Sequence, residues 1–78
     1  MKDLTTLQEG QGARVEALTA QGGMRRRLMD LGFTRGAPVF CLFSAPGNGM
    51  RAYRIRSAVV ALRGRDAQTV RLEEETHA

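Results

Sequence analysis

One cysteine, one histidine and one tyrosine among 78 residues close off several kinds of chemistry before any element is placed. A lone cysteine makes no internal disulfide, which suits a reducing compartment. A closed metal site takes about four ligands, more than Cys41 and His77 supply within one chain, although a carboxylate site shared between chains stays open. There is no CxxC, no HxxxH and no serine–histidine pair in a plausible context. Gly10-Gln11-Gly12 is not a phosphate loop, because it lacks both a following lysine and a preceding apolar strand. With no positioned acid, base or nucleophile, the chain reads as non-catalytic, with no cofactor and no metal-ligand set. Cys41 lies inside an apolar run, where a thiol behaves as a small hydrophobe. Long apolar segments are also missing. None approaches about 18 residues and none leads the chain as a signal peptide would, so a cytoplasmic protein that does not span a membrane is expected.

What the chain does have is arginine. Lysine and arginine number 12 against 8 acids, for a net charge of +4, and all but Lys2 of the basic residues are arginine. The acids gather at Glu73-Glu74-Glu75. A small basic chain invites a nucleic-acid reading, carried by Arg51, Arg54, Arg56 and Arg63. The scatter of the cations and the single tyrosine available for base stacking argue against it. The length makes one domain, 1–78, with a core over about 4–72 and a frayed tail at 74–78.

The stretch Gly22 to Val39 organises the rest. A helix beginning at Gly23 brings Met24, Leu28 and Leu31 onto one face, at i, i+4 and i+7. Arg25, Arg26, Met29 and Asp30 point elsewhere, and Asp30 stands at pairing distance along the helix from Arg26 and Arg27. Gly32 suits the left-handed residue that ends a helix. Two turns of helix do not persist alone in water, so other elements must bury this stripe.

Those elements read as strands. Leu4 and Leu7 close one end of the core. Ala13 to Leu18 alternates, with Ala13, Val15 and Ala17 on one side. Pro38 to Ala45 is apolar on both faces, Val39, Cys41 and Phe43 against Phe40 and Leu42, which suggests a central strand buried on both sides or covered by the helix. Pro46-Gly47-Asn48-Gly49 is a turn. Arg51 to Arg56 alternates, with Tyr53 and Ile55 inward. Ser57 to Leu62 is a further strand, Gly64 to Ala67 a turn or one helical turn, and Thr69 to Glu73 a last alternating strand with Val70 and Leu72 inward. Five short strands and one short α-helix without βαβ spacing give a mainly β fold, a small SH3-like antiparallel barrel with the helix over one opening.

The arginine triplet admits a solvated helix face or a docking surface. For docking, the planar guanidinium grips carboxylate or phosphate at two points and Met29 adds an adaptable apolar contact. Arg25, Arg26 and Met29, with Phe33 and Arg35 of the following loop, are the candidate protein-binding residues. A cleft between helix and barrel would be a natural peptide site.

In order, the residues Leu4-x-x-Leu7-x-x-Gly10, Arg26-Arg27-Leu28-x-Asp30-Leu31-Gly32-Phe33-x-x-Gly36, Ala45-Pro46-Gly47, Tyr53-Arg54-Ile55-Arg56 and Ala61-Leu62-Arg63 make the chain similar to the FeoA family of small cytosolic accessory proteins of bacterial ferrous-iron uptake. The resemblance implies an SH3-like barrel, a non-catalytic role and, as partner, the cytosolic G-protein-bearing part of the ferrous-iron permease FeoB. It places any membrane contact in that partner. The family usually has glycine where Ser57 stands, so Ser57 argues against an obligatory positive φ there. The same fold serves as a module of metal-dependent repressors, which gives a stand-alone relative of that module as an alternative. Exposed edge strands would allow a homo-oligomer.

Overall fold

The structure is a computed structural model and describes residues 2–47 and 49–74. Asn48 of the expected turn and most of the expected frayed tail lie outside the described residues. Along the chain come a 3-10 turn (Leu4–Thr6), β1 (Gly12–Leu18), α1 (Gly22–Leu31), β2 (Pro38–Ser44), β3 (Met50–Ile55), β4 (Ala58–Arg63), a one-turn helix α2 (Gly64–Ala67) and β5 (Val70–Leu72). The strands form one antiparallel sheet in the order β4-β3-β2-β1-β5. The mainly β architecture expected from the sequence is therefore present.

Strand β1 rolls the sheet. Gly12 to Arg14 pair with β2, whereas Val15 to Leu18 pair with β5, with a register shift between Val15 and Ala17. An extra residue in one strand bends it and sharpens its twist, so one continuous strand serves two parts of the sheet. The same shift breaks the expected alternation: Val15 is buried but Ala17 is exposed. Beyond β5, Leu72 N donates to Lys2 O at 2.9 Å and Asp3 bridges to Arg71. The start of the chain thus covers the outer side of β5.

The core joins Leu4, Leu7, Val15, Leu28, Tyr53 and Ile55 with smaller neighbours. Leu4 is held by its turn, whose first residue, Asp3, accepts a hydrogen bond from Thr5 N at 2.8 Å. The Leu4 carbonyl accepts the buried Tyr53 hydroxyl at 3.0 Å. Three expectations are corrected here. The second face of β2 is not buried: Phe40 and Leu42 are exposed. A register shift between Cys41 and Phe43 also turns Phe43 away from the Val39 and Cys41 side and out to solvent. In addition, β4 starts at Ala58 rather than Ser57, because Arg56 and Ser57 form a two-residue turn closed by the Ile55–Ala58 pair. The left-handed residue of that turn is Arg56, at φ 55°, not Ser57.

Helix α1 ends as its sequence implies. Gly32 has φ 112°, its N–H donates to Met29 O at 3.0 Å, and Phe33 N donates to Leu28 O at 3.0 Å. This is the paired-bond terminator that glycine permits, with Phe33 and Leu28 both buried beneath it. Gly32 is fixed for a second reason. A Cβ there would lie 2.9 Å from Arg56 Cδ, because the Arg56 stem lies across the helix end while its Nη2 donates to Thr34 Oγ1 at 2.9 Å. Gly32→Ala should therefore cost about 1–2 kcal/mol in urea unfolding. Part of that loss is expected to return in the Gly32→Ala, Arg56→Ala double variant, where the clash is gone and only the backbone strain remains.

Candidate functional site

The amino end of α1 has no side-chain cap from Gln21 and no acid in its first turn. It is fastened instead by Arg25, whose Nη1 donates to the carbonyl of Leu18 at the end of β1, 2.9 Å away. Nearer the start of the same strand, Arg14 Nη1 donates to Gly36 O at 2.8 Å. Gly36 N donates to Val15 O at 2.7 Å and Val15 N to Ala37 O at 3.0 Å. These bonds hold the helix and the Phe33–Arg35 loop beside the second half of β1 without closing the space between them.

That space is a groove of about 270 Å³. One wall is Val15 to Leu18 of β1. The other is Arg25 and Met29 of α1 together with Phe33, Thr34 and Arg35. Of the residues singled out in the sequence, Arg25, Met29, Phe33 and Arg35 line this groove, and Arg26 is exposed outside it. Phe33 is only 1% exposed, so it shapes the groove from below while Met29 offers its side chain at the surface. The β1 wall is not evident from sequence, since a strand residue's neighbour across a helix depends on how the sheet rolls. Glu16, the acid of this wall, pairs with Arg71 at 3.8 Å across the bulge, an exposed pair of little energetic weight. Asp30 forms no ion pair with Arg26 or Arg27, contrary to the pairing that the helical spacing allows.

The four arginines of the nucleic-acid alternative do not converge on one patch, since only Arg54 and Arg63 share a face. Arg54 and Arg63 are exposed, Arg51 is half-buried beside Tyr53, and Arg56 is committed to Thr34. Cys41 is buried on β2, and burial pushes its thiol pKa up, against the smaller opposing effect of its contact with the Phe43 carbonyl. Such a thiol is a packing group rather than a nucleophile. Among the described residues, no group of three or more histidine, cysteine or acidic side chains is placed to hold a metal ion. Nor is any helix there long and apolar enough to cross a membrane.

No curated protein matches the sequence. Among solved structures, the chain is similar to Stenotrophomonas maltophilia FeoA complexed with zinc, described as a prokaryotic SH3 domain protein and a candidate ferrous-iron-transport activating factor. Identity is 27% and the TM-score 0.84, over 94% of this chain and 91% of that one. Similarity to the FeoA protein of Chlorobium tepidum is 30% identity with a TM-score of 0.83, over 96% and 75% of the two chains. The fold alone recurs in a manganese-dependent transcriptional repressor, at 24% identity and a TM-score of 0.81, over 91% of this chain and 40% of that one. The family model for the FeoA domain matches residues 2–74, nearly the whole length, and with the shared SH3-like roll it establishes that the chain belongs to the FeoA family.

Proposed function

We propose that the protein is a non-catalytic accessory of bacterial ferrous-iron uptake, acting in the cytoplasm as one domain by docking on the G-protein-bearing part of the permease FeoB. Family membership supports the iron-transport role. The observation that carries the docking surface is the convergence of Arg25, Met29 and Arg35 on one groove beside α1. An apolar contact flanked by two guanidinium groups suits a partner segment with an apolar side chain between carboxylates. Arg25 already spends one N–H on Leu18 O, and a guanidinium has four more to offer.

The test is a binding titration against the soluble part of the permease. Arg35→Glu and Met29→Asp are each expected to weaken binding about tenfold or more. Arg65→Glu, on α2 outside the groove, should bind as the parent does. Unchanged affinity in both groove variants would remove the groove from the interface, and no binding by the parent chain would remove the partner.

A further inference from the structure

The outer face of β2, β3 and β4 belongs to neither the core nor the groove. Strand pairing sets Phe40 beside Arg54 and Arg54 beside Val59 in one row. Phe43, Ala52 and Ala61 form the next row, and Met50 stands beside Arg63 at the end. The large apolar side chains here are open to solvent: Phe40 is 48% exposed, Phe43 52%, Met50 44% and Val59 65%, with Leu42 at the bulge 40%. Phe40, Leu42 and Arg54 share a hollow of about 340 Å³ with Gly10 and Cys41. The Phe40 ring is seated rather than loose, since a Cβ on the paired Gly12 would lie 2.6 Å from its edge. Glycine at that position lets the ring lie across the neighbouring strand. A contiguous apolar face of this kind marks a binding surface.

Its charge narrows the occupant. No aspartate or glutamate occurs between Asp30 and Asp66, a span that contains all of β2, β3 and β4. The strands of the face therefore carry arginine alone, as the exposed Arg54 and Arg63, and the one acid at the rim is Glu9, whose Oε2 accepts from Ser44 N at 3.5 Å. A second copy stacked on this face would bring Arg54 and Arg63 against their like, with only Glu9 at the rim to offset them. The outward rows Phe40–Arg54–Val59, Phe43–Ala52–Ala61 and Met50–Arg63 contain no serine, threonine, asparagine or glutamine, so within them arginine supplies the only side-chain donors and nothing accepts. The matching surface must supply anionic acceptors above an apolar depth. Phe40 and Phe43 offer π faces on which a base could stack, but Leu42, Met50 and Val59 do not, and a face more aliphatic than aromatic favours an acyl boundary over single-stranded nucleic acid. An anionic lipid surface meets every requirement: apolar side chains enter the headgroup boundary while arginine stems lie along it and carry the guanidinium groups to the phosphates.

We propose that this face seats the protein on an anionic membrane surface, with Phe40, Phe43 and Met50 at the acyl boundary and Arg54 and Arg63 on lipid phosphates. It shares no residue with the groove beside α1, and it stands whether or not that groove binds the permease.

The experiment is co-sedimentation of the full chain, without any permease, with vesicles of phosphatidylcholine alone or with a quarter of phosphatidylglycerol. The protein is expected to pellet with the anionic vesicles and to stay in the supernatant with the neutral ones. Phe43→Ser and Arg54→Glu should each lower the partition coefficient about tenfold. Arg65→Glu changes the net charge equally but lies off the face, and should lower it much less. Absence from the anionic pellet overturns the proposal, and so does an equal loss with Arg65→Glu, which would reduce the binding to net charge. If a single-stranded oligonucleotide or the permease's soluble part is lost by the Phe43→Ser variant while vesicles never bind, the face belongs to that partner and the lipid assignment falls.

Discussion

Leu28→Ala is expected to remove about 3 kcal/mol of stability and to lower the thermal midpoint by about 15 °C, while Met29→Ala one position along leaves it within a degree or two. The contrast follows from how narrowly α1 is held. Of its apolar stripe, only Leu28 is fully buried; Met24 and Leu31 are partly covered. The helix has ten residues and no side-chain cap at its start, so propensity alone would not maintain it. Its retention rests on Leu28 in the core, on the Gly32 termination and on the Arg25 bond to β1. Truncating Leu28 leaves a cavity bordered by a strand sheet that cannot collapse without losing its register. In a chain of 78 residues, whose total stability is expected to be only about 5 kcal/mol, that loss leaves a substantial unfolded fraction at 37 °C. Thermal melts followed by circular dichroism check it. A parent-like midpoint for Leu28→Ala would mean that the helix is not needed to close the core.

The second large effect is alkaline. Tyr53 is the only tyrosine and the chain has no tryptophan, so phenolate absorbance reads this one hydroxyl without overlap. Burial pushes its pKa up to about 12, with the charge of Arg51 pulling weakly the other way. The native hydroxyl is also a donor to Leu4 O at 3.0 Å, a bond that ionisation abolishes. Because the folded pKa lies above the unfolded value near 10, the stabilisation is complete below about pH 10 and is lost as pH rises through about 12. A two-unit difference corresponds to about 2–3 kcal/mol over that window. The phenolate titration of the native protein is thus expected near pH 12, or to coincide with unfolding if that comes first. Tyr53→Phe should start slightly less stable near neutrality, by about 1 kcal/mol, and should show no such decline on the alkaline side. A native midpoint close to 10 would place the hydroxyl in contact with water.

The parts of this structure governed by local chemistry were legible in the sequence. Gly32 ends the helix, Tyr53 and Ile55 face inward, Val70 and Leu72 are buried, and Arg25, Met29 and Arg35 stand on one side of the helix and its loop. What escaped was set by partners distant along the chain. Alternation from Val39 through Cys41 assigns Phe43 to the core, but the extra residue before Phe43 is accommodated only because β3 pairs in a shifted register, and β3 lies beyond a turn. The β1 wall of the groove escaped for a similar reason, since Val15 to Leu18 change neighbour from β2 to β5. Several arginines also proved to be structural. Arg14, Arg25 and Arg56 each donate to a specific acceptor, Gly36 O, Leu18 O and Thr34 Oγ1. Long polar side chains give no sequence signal of such use, because their reach spans many candidate acceptors.

Those three guanidinium straps have a consequence for association. They tie the strand, the helix and the β3–β4 turn to the rim of one recess, so an incoming segment meets a mould that is already cast. Little ordering of the host is left to oppose capture, and encounter rates should follow diffusion and charge rather than wait on a slow rearrangement. Cutting the Arg56 strap, which holds Thr34 of the recess without lining it, would then show itself first in the association rate.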